Sequence, residues 1–170
     1  MAVRFRGESQ HKVDAKGRVS IPASFRRVLE RADPAWREGM PPNLVIVYGP
    51  AAQKYLECYT IEAIDEVDDQ IASLIRGTPK RQMLERMFYG QSHPTNVDET
   101  GRLVLPQKLR EKIGLTAGSE AYFLSTGDTF QIWNPKTFAA EEAATADLFA
   151  QTNPNGFHPL ALLDEGGALE

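Results

Sequence analysis

Two stretches of this chain, VDAKGRVSIPASFR at 13–26 and VDETGRLVLPQKLR at 97–110, agree at six of fourteen positions, and they begin 84 residues apart. The identities are Val13/Val97, Asp14/Asp98, Gly17/Gly101, Arg18/Arg102, Pro22/Pro106 and Arg26/Arg110. The likeness extends upstream through Phe5/Phe88, Gly7/Gly90 and Ser9/Ser92, with one extra residue in the second copy. Downstream, YLECYT (55–60) and TFQIWN (129–134) share an alternation of apolar and polar positions, now at an offset of 74. A longer first-copy connection around PAWREGMPPN takes up the difference. A repeat of this length means one supersecondary unit used twice, and that limits the folds open to the chain more than any other feature.

Each copy has the same coarse order. A short strand reaches the Asp, which makes a tight turn with Gly17 or Gly101: Asp accepts local backbone hydrogen bonds, and Gly supplies a positive φ that other residues resist. A second strand follows, RVSI or RLVL. Pro22 and Pro106 then suit the first position of a helix, where a missing N–H costs nothing. Phe25, Val28 and Leu29, and in the second copy Leu109 and Ile113, fall on one helical face, with Gly114 as a natural stop. Two further strands are expected near NLVIVYG and KYLECYT, and again near EAYFLSTG and TFQIW. Thr60 and Asn134 read as helix N-caps. Ile61, Ile64, Val67, Ile71 and Leu74 at helical spacing, then Thr78-Pro79 followed by Met83, Leu84, Met87 and Phe88, predict a helical hairpin between the copies.

A four-strand unit with one short helix has too little core to stand alone and leaves strand edges unpaired. Two copies in one chain solve both problems by pairing. The expected architecture is therefore α+β, a pseudo-twofold barrel or interlocked sheet with flanking helices. Residues 5–76 form the first repeat with its following helix and residues 77–150 the second with its helices, both in one compact domain. The tail, 151–170, is rich in Gly, Pro and Asn and reads either as mobile or as presenting PLALL to a partner.

With 170 residues, 42% hydrophobic and 25% charged, the chain has the composition of an ordinary globular protein. No apolar run approaches the ~20 residues needed to span a bilayer, and MAVRFRGESQ lacks the apolar segment of a secretory signal, which points to the cytoplasm. The single cysteine, Cys58, alternates with Leu56 as core filler and fits a reducing compartment. Net charge is −4, but it is unevenly spread. Residues 1–27 carry Arg4, Arg6, Lys12, Lys16, Arg18, Arg26 and Arg27 against only Glu8 and Asp14. The stretch 55–70 has six acids and no base, and everything after Ile113 has eight acids and only Lys136. An acidic remainder leaves the basic segments as the contact surface for an anionic polymer.

These residues resemble a known family. The opening FRGES, the paired DAKGRVSIPASFR and DETGRLVLPQKLR, and the intervening helices are similar to the MraZ family of bacterial transcriptional regulators, within the AbrB-like, swapped-hairpin superfamily. The resemblance spans roughly residues 5–150, and two copies of D-x-x-G-R-x-x-x-P-x-x-x-R make it specific. It implies a swapped-hairpin barrel and a DNA-binding protein assembled as a ring of several chains. The ring would act at repeated G-rich sites in the promoter of the division and cell-wall gene cluster. The implied partners are double-stranded DNA and further copies of the chain, with no catalytic residue, cofactor, metal or membrane, in the cytoplasm and on the nucleoid.

The chemistry of the repeated residues agrees with that implication. Arg18 and Arg102 directly follow the turn glycines and are expected to project from related loops on one face. A guanidinium fork holds a phosphate or makes paired bonds to guanine O6 and N7, and a narrow β-ribbon fits the major groove. Lys16 adds a charge at the first tip, and Arg4, Arg6 and Lys12 extend the basic segment. In the second copy Ala15 becomes Glu99 and Lys16 becomes Thr100, so that tip is less positive by two charges and the first loop is expected to dominate. Asp14, Gly17, Pro22, Asp98, Gly101 and Pro106 are explained by turn and helix geometry, whereas Lys16 and Arg18 have no evident structural duty. Arg26 and Arg110 are assigned equally to DNA contact or to a salt bridge within the oligomer.

Two rival readings use the same residues. Paired Asp loops on a pseudo-twofold barrel resemble those of aspartic proteases, where two carboxylates share a proton. Here, however, two residues rather than one separate Asp from Gly, and the adjacent cations favour two ionised carboxylates. The other rival is an AbrB-like antitoxin or protein-binding scaffold, using the acidic helix at 61–75 and the tail. His11, His93 and His158 lack metal-ligand spacing, and no phosphate-binding or dinucleotide fingerprint appears.

Overall fold

A computed structural model describes residues 3–156 and 158–163; of the expected tail, Phe157 and residues 164–170 lie outside the described residues. The elements in chain order are β1 (Glu8–Lys12), β2 (Arg18–Ser20), α1 (Ala23–Arg31), β3 (Asn43–Val47), β4 (Tyr55–Tyr59), α2 (Ile61–Ala72) and α3 (Pro79–Glu85). A π-helical turn at Arg86–Gly90 leads into β5 (Ser92–Asn96), β6 (Arg102–Val104), α4 (Gln107–Lys112), β7 (Glu120–Ser125), β8 (Thr129–Trp133) and α5 (Pro135–Thr152). The chain divides into two compact units, Met1–Pro135 and Lys136–Glu170. No described helix is long and apolar enough to cross a membrane.

The local signals explain where these elements begin. The Thr60 hydroxyl accepts from the Ala63 N–H at 3.0 Å and so caps α2, whose buried stripe includes Ile64 and Ile71. Thr78 caps α3 in the same way, with Pro79 in its first turn. Pro22 and Pro106 sit one position earlier than expected, as N-caps of α1 and α4 with ψ of 140° and 152°. The ring fixes φ, but the preceding strand holds ψ extended. Each proline carbonyl then accepts the first helical N–H groups, from Phe25 and Arg26 or from Leu109 and Arg110.

All ladders are antiparallel. The six-stranded sheet runs in the order β1-β7-β8-β4-β3-β5, and β2 pairs with β6 in a separate ribbon. Exchanging each first-copy strand for its second-copy counterpart reverses that order into itself. Among the described strands, only β3–β4 and β7–β8 pair within a copy. β1 pairs with β7, β5 with β3, β4 with β8 and β2 with β6, so each remaining ladder joins the two copies. The core is shared as well. Phe5 and Phe25 from the first copy meet Phe130 from the second, with ring centroids 5.0–5.2 Å apart, and Phe123 stacks on Phe130 at 5.9 Å. Cys58 lies fully buried in this core, and burial pushes its thiol well above the ordinary range.

Each turn rests on the opposite copy. The Leu105 N–H donates to Gly17 O at 2.7 Å, and the Ile21 N–H donates to Gly101 O at 3.0 Å. Both glycines have positive φ, +82° and +77°, but the space around them differs. A Cβ on Gly17 would lie 2.3 Å from the Leu105 carbonyl oxygen, whereas one on Gly101 would meet only the Arg26 Nη1 at 3.2 Å. Gly101→Ala is therefore expected to cost about 1–2 kcal/mol, the left-handed penalty alone. Gly17→Ala is expected to cost more, because a backbone carbonyl must shift. Urea midpoints at constant slope measure the difference.

Candidate nucleic-acid interface

The aspartates organise the two turns. The Asp14 carbonyl accepts the Gly17 N–H at 3.0 Å, while its Oδ1 accepts the N–H groups of Lys16 at 2.9 Å and Arg18 at 2.8 Å. The Asp98 turn repeats this arrangement, with Gly101 N–H on the carbonyl and the N–H groups of Thr100 and Arg102 on Oδ1, each at 2.9 Å. In each case the backbone N–H four residues on does most to hold the carboxyl below its ordinary value; a side-chain hydrogen bond from Arg18 or Thr100, the N–H two residues on and the arginine's charge act in the same direction, and burial opposes them. Sharing a proton requires one carboxyl pushed up, not both pushed down.

The ribbon that follows the turns brings Arg18 and Arg102 together. In its register Arg18 faces Val104, Val19 faces Leu103 and Ser20 faces Arg102. Alternation buries Val19 and Leu103 and places Arg18, Ser20, Arg102 and Val104 on the other side. The two arginines are thus diagonal neighbours across one ladder, with backbones about 7–8 Å apart. Lys16 is exposed at the first tip and makes no side-chain hydrogen bond or ion pair among the described residues.

Arg18 does have a structural partner, contrary to the sequence reading. Its Nε donates to Asp14 Oδ2 at 2.6 Å, with both side chains more than a third exposed. Arg26 and Arg110 also have intrachain duties. Arg110 Nε donates to Leu105 O at 2.9 Å beside Gly17, and Arg26 lies against Gly101 while its Nε stands 3.7 Å from Glu30. Each belongs to the helix of one copy and packs beside the turn of the other.

The remaining basic residues are dispersed. Lys12 ends β1 on the side nearest the first turn, exposed. Arg4 and Arg6 flank Phe5, which bridges Gly127, so the full length of β1, about 16 Å for five residues, separates them from Asp14. His11 is half-buried, its Nε2 2.9 Å from Ser9 Oγ and its ring edge-on to Phe123.

The family model described as "MraZ protein, putative antitoxin-like" matches residues 4–62 and 87–155. Curated relatives are similar along nearly the whole chain. A transcriptional regulator MraZ of Ruegeria pomeroyi is 63% identical over 167 residues, covering 98% of this chain and 99% of the relative. One from Cereibacter sphaeroides is 46% identical with the same coverage, and one from Gluconobacter oxydans is 37% identical over 149 residues, covering 87% and 85%.

The depressed carboxyls fix the sign of one pH effect. The turn bonds are fully present above the ordinary aspartate value of 3.8 and are lost only as pH falls through the lower folded values. The amide resonances of Lys16, Arg18, Thr100 and Arg102 are expected to stay fixed from neutral pH down to about 4 and to move together below it. A midpoint above 3.8 would contradict the geometry.

Proposed function

Because the chain belongs to the MraZ family, we propose that it is a sequence-specific DNA-binding transcriptional regulator whose contact face is the outer side of the β2–β6 ribbon. The observation that carries this reading is the presence of Arg18 and Arg102 on that one side, each guanidinium held at Nε. An arginine held at Nε keeps its two terminal nitrogens free as a fork, the shape that matches guanine O6 and N7 in the major groove. The Asp14 carboxylate both orients Arg18 and offsets part of its charge, which favours a directional bond over loose attraction to phosphate. Lys16, without such a partner, acts as the phosphate-seeking cation. Lys12 supports the same face, while Arg4 and Arg6 contribute only where DNA extends along β1.

As far as Pro135, the two copies read as one compact domain of the swapped-hairpin, AbrB-like kind, a reading supported by the exchange of first and second strands between the copies. One ribbon offers few phosphate contacts, and each adds only a modest counterion-release contribution. A ring of several chains displaying ribbons on one face would engage repeated G-rich promoter sites at high effective concentration, so that repeated DNA sites match repeated protomers. The division and cell-wall gene cluster is the proposed target, with the protein in the cytoplasm on the nucleoid. No step of this function requires catalysis.

A protein-binding, antitoxin-like role is the second reading, favoured by Ile75 and Met83, which are 78% and 65% exposed around the helical hairpin. A stoichiometric protein partner that displaces DNA would support it.

A salt-titrated shift assay on the upstream region tests the main reading. Arg18→Ala is expected to abolish promoter-specific binding with fold and assembly intact, since one guanine-reading arginine is worth about 1–3 kcal/mol at each ribbon. Arg18→Lys keeps the salt slope but not the preference. Lys16→Ala weakens promoter and scrambled DNA alike and lowers the slope by about one for each ribbon engaged. Unchanged promoter affinity in Arg18→Ala would sink the assignment.

A further inference from the structure

The two turns hold their arginines by different means. In the first, Arg18 Nε donates straight to Asp14 Oδ2 at 2.6 Å. In the second, Arg102 Nε stands 3.7 Å from Asp98 Oδ2, beyond hydrogen-bond reach. It donates instead to Thr100 Oγ1 at 2.8 Å, and that hydroxyl donates to Asp98 Oδ1 at 2.8 Å. Solvent exposure does not account for the difference, because the Arg18 and Arg102 side chains are 35% and 34% exposed.

The substitution between the copies does account for it. A lysine at position 16 carries three donors and no acceptor, so it has nothing to offer an Nε–H. A hydroxyl has one donor and two acceptor lone pairs, and can accept from a guanidinium while donating to a carboxylate. The exchange of Lys16 for Thr100 therefore removes a charge from the second tip and adds a relay. The relay has a cation at one end and an anion at the other, and each bond polarises the next.

We infer that Thr100 is a positioning residue for Arg102, holding its guanidinium as a fork on the ribbon's outer side with only a longer ion pair, at 3.7 Å, to Asp98. This inference rests on the reading of that side as the DNA-contact face. Arg18 is fixed by direct ion pairing, while Arg102 is fixed by a neutral hydroxyl and stands farther from its carboxylate. Arg102 is then an ordered base-reading group despite the acidic Glu99 beside it, rather than a weaker copy of Arg18.

The test compares the full-length wild type with Thr100→Val, Thr100→Ser, Arg102→Ala and the double variant Thr100→Val/Arg102→Ala. Each is titrated with the promoter duplex and a scrambled duplex at several salt concentrations. Thr100→Val is expected to lower the preference for promoter DNA roughly tenfold, the scale of one charge-assisted hydrogen bond. Affinity for scrambled DNA and the salt slope stay unchanged, because Arg102 keeps its charge. Thr100→Ser is expected to restore the preference, and the double variant to show no greater loss of preference than Arg102→Ala alone.

A Thr100→Val protein with wild-type preference, or a Thr100→Ser protein as impaired as Thr100→Val, overturns the inference. Crystal structures of the two variants give a readout independent of DNA. The Arg102 guanidinium keeps its place in Thr100→Ser and leaves it in Thr100→Val; an unmoved guanidinium in Thr100→Val equally overturns the inference. Should the wild type show no preference for the promoter duplex, the DNA reading itself falls, and the crystal structures alone decide whether Thr100 positions Arg102.

Discussion

The rest of this structure depends on two backbone hydrogen bonds, Leu105 N–H to Gly17 O and Ile21 N–H to Gly101 O. Each fixes the turn of one copy on the strand-to-helix corner of the other. The turns stand where they do because the β2–β6 ribbon runs between them, and the ribbon is anchored because both turns are seated. Arg110 on Leu105 O and Arg26 against Gly101 close the arrangement from the helices. A residue that spaces like a surface cation in one copy is therefore part of the packing of the other.

This arrangement couples the fold directly to the proposed contact face. In the first copy the aspartate that builds a rigid turn by collecting N–H groups also holds the arginine that follows. The carboxylate that accepts the backbone of residue 18 accepts its guanidinium too. Order at the tip is inherited from the ladder below it, so the outer side of the ribbon presents its charges at a fixed separation and orientation. DNA bound on this proposed contact face would require little further ordering of these side chains.

Much of this was legible in the sequence because it is local. The Asp-to-Gly turns, the Thr60 and Thr78 caps, the apolar spacing of α2 and the buried Cys58 all follow from neighbours a few residues apart. The repeat itself announced that the copies would pair. What stayed hidden was which part of one copy faces which part of the other. Arg26 and Arg110 gave no sign of their target, since spacing along a helix does not say whose turn lies beside it. Arg81 is a similar case: it is buried, and its Nη1 reaches the Ala72 and Leu74 carbonyls at the end of α2. The partner of Arg18 was readable in retrospect, because an aspartate stands four residues before the arginine in both copies. Arg4 and Arg6 were grouped with the first tip by sequence proximity, and an intervening extended strand undoes that proximity.

The exchange of strands also has a cost in time. β1 is translated more than a hundred residues before β7, with Glu8 opposite Leu124 in the finished ladder. At ribosomal speeds of about 5–20 residues per second, the nascent chain holds that strand without its partner for on the order of ten seconds. Its exposed Glu8, Gln10 and Lys12 alternate with the half-buried Ser9 and His11, so no long apolar edge is offered to other chains meanwhile. The polarity of the first strand thus protects a chain whose halves cannot close until the second copy has been made.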